Sequence, residues 1–288
     1  MQRSYSPTVR RRRLAAELRR LREAAGMTSL QAGKALGWAH STIIKHEKAQ
    51  RRSISPADLD ALLDLYNVQD QERRNGLHAL ARDAKQRGWW SKYRDVFRGA
   101  LPDFEAEASL IRDFEVQVIP GLLQTPEYAA AVFRSAQVQD EDTVARLVDA
   151  RIQRQQILNR HQEPPTYVVV IDEGALRRQV GTPAVMHAQL RYLIRMATRD
   201  NIEILVLPFS AGAHAATAAT FVILDFPDPA DPSIAYSETI TDTVIAEEPD
   251  ELRRYNVVFG SVQNAALSPS CSVEFITELM KAQESDRV

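Results

Sequence analysis

The chain has 288 residues, of which 44% are hydrophobic, 7% aromatic and 26% charged, a composition that supports folded domains and excludes a disordered or fibrous polymer. Its single cysteine, Cys271, excludes an internal disulfide framework and every multi-cysteine zinc pattern, and it fits a reducing cytoplasm. The net charge of -2 hides an asymmetry: residues 1–54 hold 13 Lys/Arg against 3 Asp/Glu, whereas 55–288 hold 23 against 35.

Only the first fifth of the chain therefore carries the positive field that attracts phosphate backbones. No apolar run approaches the roughly 20 residues of a membrane span, and the basic N-terminus lacks the apolar segment of a secretory signal. A cytoplasmic protein without membrane contact is expected. The length argues for two domains.

Arg10-Arg11-Arg12-Arg13 leads into Leu14, Leu18 and Leu21, whose spacing of four and three marks a first helix with one apolar stripe. The arginines read either as a solvated helix end or as an arm that contacts phosphates. Thr28 and Gln31 make a capping box, so a second helix starts at Ser29, runs through Leu36 and stops at Gly37. A third begins near His40. Leu30, Leu36, Trp38 and Ile43 supply apolar contacts, and Gly33 lets two backbones approach closely. This is the pattern of a helix-turn-helix, whose second helix enters the DNA major groove.

Ser55-Pro56-Ala57-Asp58 starts a further helix with Leu59, Leu62, Leu63 and Tyr66 inward, completing a DNA-binding domain over residues 1–69. Residues 70–88 read as a helical linker, with Leu77, Leu80 and Ala81 on one side and Gly88 at its end. Trp89, Trp90 and Tyr93 form an aromatic cluster at the boundary, more suited to packing than to ligand binding.

Residues 89–288 read as an α+β effector, dimerisation or partner-binding domain. Strands are expected over 109–118, 166–171, 202–207, 221–226, 234–239 and 243–246. Helices are expected from Thr125 to about residue 135, from Asp140 to about residue 160, after Asp172, after Thr182, and over 250–264 and 270–283. The fold class is thus α+β, an all-α helix-turn-helix domain followed by a larger α+β domain.

The run from Gly37 to Glu47 resembles the recognition segment of phage-repressor-like regulators of the xenobiotic-response-element family. That resemblance implies a partly buried ion pair between Arg22 and Glu47, base contacts from His40, Ser41 and Lys45, a base or phosphate contact from Thr42, and phosphate contacts from Thr28, Ser29 and Gln31. The chemistry agrees: serine bonds several base edges, lysine suits guanine, and histidine serves either way according to its tautomer. Arg51 and Arg52, just beyond, suit phosphates. Ala39 stands where Ser or Thr usually caps the recognition helix, and Ala49 where glycine usually follows it.

The remainder resembles the C-terminal domain of actinobacterial WhiJ-like and antitoxin-like regulators, through 119–129 (IPGLLQTPEYA), 151–158 (RIQRQQIL), 171–178 (IDEGALRR) with Gly181, and Gln189-Leu190. The resemblance implies a dimeric transcriptional regulator acting on double-stranded operator DNA, with a small-molecule effector or a small neighbour-encoded protein as further partners. An alternative is an antitoxin-like interaction module that binds such a protein and regulates its own operon.

Catalysis has little support. Asp172 and Glu173 are better explained as a helix cap and first-turn acid than as paired catalytic carboxylates. Pro120-Gly121 with Gln124 is a turn and no phosphate loop, so no cofactor is expected. The histidines show no metal-ligand spacing; His46 is expected against the first helix and His214 in solvent, within a loop 210–219 that is a lid or a loose connection. Cys271 reads as a small buried residue.

Overall fold

The computed structural model describes residues 7–51, 53–85, 92–93, 96, 100–138, 140–217, 220–228, 231–239 and 241–285. Gly88, Trp89 and Trp90 lie outside them, so the boundary cluster is represented by Tyr93, which is buried. The chain is α+β and divides into two compact units, the first made of Met1–Lys92, Ala100–Glu107 and Asp228–Asp231, the second of the rest.

The first unit is helical: α1 (Pro7–Ala24), α2 (Ser29–Leu36), α3 (His40–Glu47), α4 (Pro56–Leu65), α5 (Gln71–Asp83) and the short α6 (Leu101–Glu105). Side-chain caps set three of these starts. Thr28 and Gln31 close a full capping box on α2, Ser55 accepts from the Asp58 N–H ahead of α4, and Asp70 accepts from Glu72 ahead of α5. Gly37 ends α2 at φ 69°, a backbone that costs other residues steric strain. Leu14, Leu18 and Leu21 of α1 meet Ala32, Ile43, Leu59, Leu62 and Leu63 in one core, to which α5 adds Leu77 and Ala81. The span read as a linker thus contributes a helix to this core. A Cβ on Gly33 would lie 3.0 Å from the Trp38 carbonyl oxygen, which is why the α2–α3 turn can be this close.

Leu30 departs from expectation: it is 65% exposed and makes no core contact. Ala32, Gly33 and Leu36 set the inward face of α2, and at about 100° per residue Leu30 lies roughly a third of a turn away from it.

The second unit is built on a six-stranded sheet of order β3-β2-β1-β4-β5-β6. Strands β1 (Leu110–Glu115), β2 (Thr166–Asp172) and β3 (Ile202–Leu207) are parallel, and β4 (Phe221–Asp225), β5 (Ile234–Glu238) and β6 (Thr243–Ala246) continue antiparallel. The crossovers use α7 (Pro126–Ser135) with α8 (Glu141–Gln155), and α9 (Glu173–Arg177) with α10 (Pro183–Met196); α11 (Pro249–Ala265) and α12 (Pro269–Ser285) close the chain. Phe114, Val170, Leu205, Phe221 and Ile223 on one sheet face pack with Phe259 and Val262 of α11. At the β3 edge, Val206 N–H donates to Ser272 Oγ (2.9 Å) and its carbonyl accepts from Leu267 N–H (2.8 Å). That edge is blunted against further pairing.

Several boundaries shift. Strand β1 stops at Glu115, short of residue 118, and α8 ends at Gln155, with a 3-10 turn over Gln156–Asn159. Cys271 is exposed, because α12 turns Ser272, Ile276 and Leu279 inward, one residue out of phase with the thiol. His214 is half-buried edge-on to Phe114 at 5.6 Å, and Ala216 enters the sheet core, so these two residues anchor a loop whose Ser210, Gly212, Ala213, Ala215 and Thr217 are exposed.

The stretches quoted for the second domain converge on the turn after β1. Gln124 Nε2 donates to the Ile119 carbonyl, Gln155 Nε2 to the carbonyls of Gly121 and Gln124, and Arg151 Nη1 to Gln124 Oε1. Gln189 Nε2 donates to the Leu123 carbonyl (2.6 Å) while its Oε1 accepts from Thr125 N–H (2.7 Å). The carbonyls of Ile119, Leu123 and Gln124 and the Thr125 N–H are buried backbone groups, so each needs a side-chain partner. Replacing the fully buried Gln189 by Leu keeps the volume and orphans both, and should cost about 2–5 kcal/mol, read as a lower denaturation midpoint with an unchanged slope.

Candidate nucleic-acid interface

Helices α2 and α3 expose polar side chains at their starts. His40, Ser41 and Lys45 are exposed on α3, with Thr42 half-buried beside them; Thr28 and Gln31 are exposed at the start of α2, and Ser29 is half-buried. Ser41 and Lys45 sit one helical turn apart on the same side. Arg51 is exposed past the end of α3, and Arg52 lies outside the described residues. Exposed Lys34 and Lys48 add two cations that the sequence reading did not select, although a plain count of lysines in the motif contains them.

Two contacts set the geometry of this surface. Ser29 Oγ lies 2.9 Å from His40 Nε2, joining the first turns of α2 and α3 and fixing the orientation of the imidazole. Thr28 and Gln31 spend part of their hydrogen-bonding capacity on each other in the capping box. Ala39 offers α3 no side-chain cap, and the Thr42 N–H donates instead to the Ala39 carbonyl at 2.8 Å. Ala49 adopts φ 52°, the left-handed conformation that a glycine would take without strain.

Behind the surface, Arg22 grips Glu47 through two bonds, Nε to Oε1 at 2.7 Å and Nη2 to Oε2 at 2.8 Å, and its Nη1 donates to the Met27 carbonyl at 2.7 Å. One guanidinium thereby ties the end of α1 to the end of α3 and to the entry of α2. Both side chains are largely buried, and the bond to Glu47 raises the Arg22 pKa further. His46 is buried on the inner side of α3 with its ring 6.2 Å from Trp38, and burial, then the nearby Arg51 charge, hold its pKa below the ordinary histidine value.

Asp172 and Glu173 have structural partners. Asp172 Oδ1 accepts from Gly174 N–H at 2.7 Å, and Glu173 bridges Phe209 N–H and Arg177. Among the described residues there is no group of three or more His, Cys, Asp or Glu placed to hold a metal, and no helix is long and apolar enough to cross a membrane.

Removing Arg22 should destabilise the first unit strongly, because it strands the buried Glu47 carboxylate: Arg22→Ala is expected to cost about 3–5 kcal/mol by thermal or chemical denaturation. His46 generates a pH dependence. Its folded pKa lies below the unfolded one, so protonation favours unfolding: stability is complete above the ordinary histidine range and is lost as pH falls from about 6.5 toward the folded value. His46→Leu should flatten the melting temperature between about pH 7 and 5.5, above the range where carboxylates titrate.

Comparison with known proteins places both units. Residues 13–76 match the model of a helix-turn-helix domain, which supports DNA as a partner and a role in transcription regulation. No curated protein and no solved structure matches the chain. Residues 99–278, more than half of the chain, match the model of the domain of unknown function DUF5753, and the chain therefore belongs to the DUF5753 family with a helix-turn-helix domain ahead of that region.

Proposed function

We propose that this chain is a sequence-specific transcriptional regulator of the xenobiotic-response-element type, acting in the cytoplasm of an actinobacterium as a homodimer, with DUF5753 as a WhiJ-like effector and dimerisation domain. The reading is supported above all by one observation: within a matched helix-turn-helix domain, His40, Ser41 and Lys45 stand exposed on the helix that Arg22 holds through Glu47. A helix in the major groove meets a distinct donor and acceptor pattern at each base pair. Ser41 and Lys45 are the readers in this assignment, His40 joins them in the orientation that Ser29 gives it, and Thr42 touches base or phosphate. Thr28, Ser29, Gln31, Arg51 and Arg52 hold the backbone. A two-fold dimer sets two such helices about 34 Å apart on a near-palindromic site.

The charge makes the reading quantitative. If Lys34, Lys48, Arg51 and Arg52 each neutralise one phosphate, the logarithm of the association constant should fall with the logarithm of salt at a slope of about -3 to -4 per subunit. Binding of the full chain to DNA from its own promoter, followed by fluorescence anisotropy over a salt series, tests this. Lys45→Ala should weaken specific binding by about 5- to 100-fold while leaving the melting temperature nearly unchanged, and Ser41→Ala should relax sequence preference. Salt-insensitive binding, or equal affinity for promoter and scrambled DNA, would rule the reading out.

A further inference from the structure

The arginine run of α1 is occupied from within its own unit. Arg10 is ion-paired with Glu107 and lies 3.9 Å from Asp231, while Arg13 is paired with Asp228 and lies 3.7 Å from Asp231. The Arg12 guanidinium sits over the Phe104 ring at 5.1 Å, and burial pushes its pKa down to about 10, which leaves it cationic at neutral pH. The Asp231 side chain is 2% exposed and that of Arg10 12%. These acids come from two remote places, the turn after α6 and the connection between β4 and β5, whose residues Asp228–Asp231 belong to the helical unit. Two of the four arginines, Arg10 and Arg13, thus have their charge met by acids of the same unit, which leaves less of the run to contact phosphates.

The other end of the same helix carries Arg22. Twelve residues separate Arg10 from Arg22, about 18 Å along an α-helix. Helix α1 is thus held by charge at both ends, by Glu107, Asp228 and Asp231 at its start and by Glu47 of the recognition helix at its finish. Between them Leu14, Leu18 and Leu21 bind it into the core that also holds Ile43 of α3.

We propose that Glu107, Asp228 and Asp231 form an electrostatic clasp on the basic end of α1, and that α1 passes the state of this clasp to α3 through its core contacts and the Arg22–Glu47 pair. An event that displaces the β4–β5 connection uncovers buried cations, loosens the start of α1 and changes how firmly the recognition helix is held. Its consequence for DNA rests on the DNA-binding reading; the mechanical coupling does not.

Amide hydrogen exchange of the full chain tests the coupling without DNA. Asp228→Arg places a like charge against Arg13 on a partly exposed loop position, and Asp228→Asn is the milder counterpart. Both should speed exchange in the first turns of α1 and again in α3, by about tenfold for Asp228→Arg. Asp228→Glu, which keeps the negative charge beside Arg13, should leave protection at both places as in the unaltered chain. Exchange in α3 staying within about twofold of the unaltered chain in both variants, while the start of α1 loosens, overturns the relay; no change in α1 either overturns the clasp. Promoter affinity, measured alongside, should change in step with α3 protection. An unaltered chain that binds no DNA yet shows the paired exchange response would defeat the DNA-binding reading and leave the clasp standing.

Discussion

The bidentate bond between Arg22 and Glu47, with its third link to the Met27 carbonyl, is the constraint on which the helix-turn-helix surface depends. Helix α3 is eight residues long, too short to persist alone in water, and Ala39 gives it no side-chain cap. It is held instead by two inward residues, Ile43 and His46, and by the carboxylate at its end. A planar guanidinium suits this place because one group can satisfy two carboxylate oxygens and a backbone carbonyl at fixed angles, which an ammonium cannot do. The outward residues of α3 are then free to be chosen for what they contact.

The same helix solves a second electrostatic problem at its other end. Buried arginines are costly without counter-charge. The first unit answers that cost with acids drawn from distant parts of the chain, and Asp231 shows the compromise involved: its own burial raises its pKa, against the pull of Arg13 and Arg10. A carboxylate so placed is attracted by two cations yet poorly solvated. Its surroundings balance closely enough for a modest displacement to matter, whereas Arg22 and Glu47 satisfy one another with good geometry at 2.7 and 2.8 Å.

What could be read from the sequence was what is local. Thr28 with Gln31, Ser55 with Pro56, Thr125 with Pro126 and Thr182 with Pro183 each announce a helix start within four residues, and those helices stand where these signals put them. The apolar run at β2 marks a central strand, but its neighbours β1 and β3 come from 56 and 35 residues away in register, so strand order had no local signature. The partners of Arg10 and Arg13 lie 97 and 215 residues away, and a run of four arginines looks the same whether it faces solvent, DNA or acids. Leu30 and Cys271 were misplaced by a single step of helical phase, the margin at which apolar spacing ceases to decide. The Ser29–His40 contact needed the turn geometry, since neither residue indicates the other.

Net charge along the chain consequently overstates the field that an external polyanion would meet. Of the basic residues in positions 1–54, Arg10 and Arg13 are matched by remote acids, Arg22 by Glu47, and Arg19 and Arg20 by Glu23 and Glu17 on the surface of α1. Exposed pairs of the last kind contribute little to stability, but they cancel charge at long range. Among the described residues, the exposed cations on α2, α3 and the turn after them are Lys34, Lys45, Lys48 and Arg51. A surface with so few cations gains limited non-specific affinity, so in the proposed regulator discrimination between sequences would fall chiefly to the short side chains at the start of α3 and to the proposed pairing of two copies on one site. That division follows from where the arginines of α1 went: their charge holds the helix in place, and the recognition helix works with what remains.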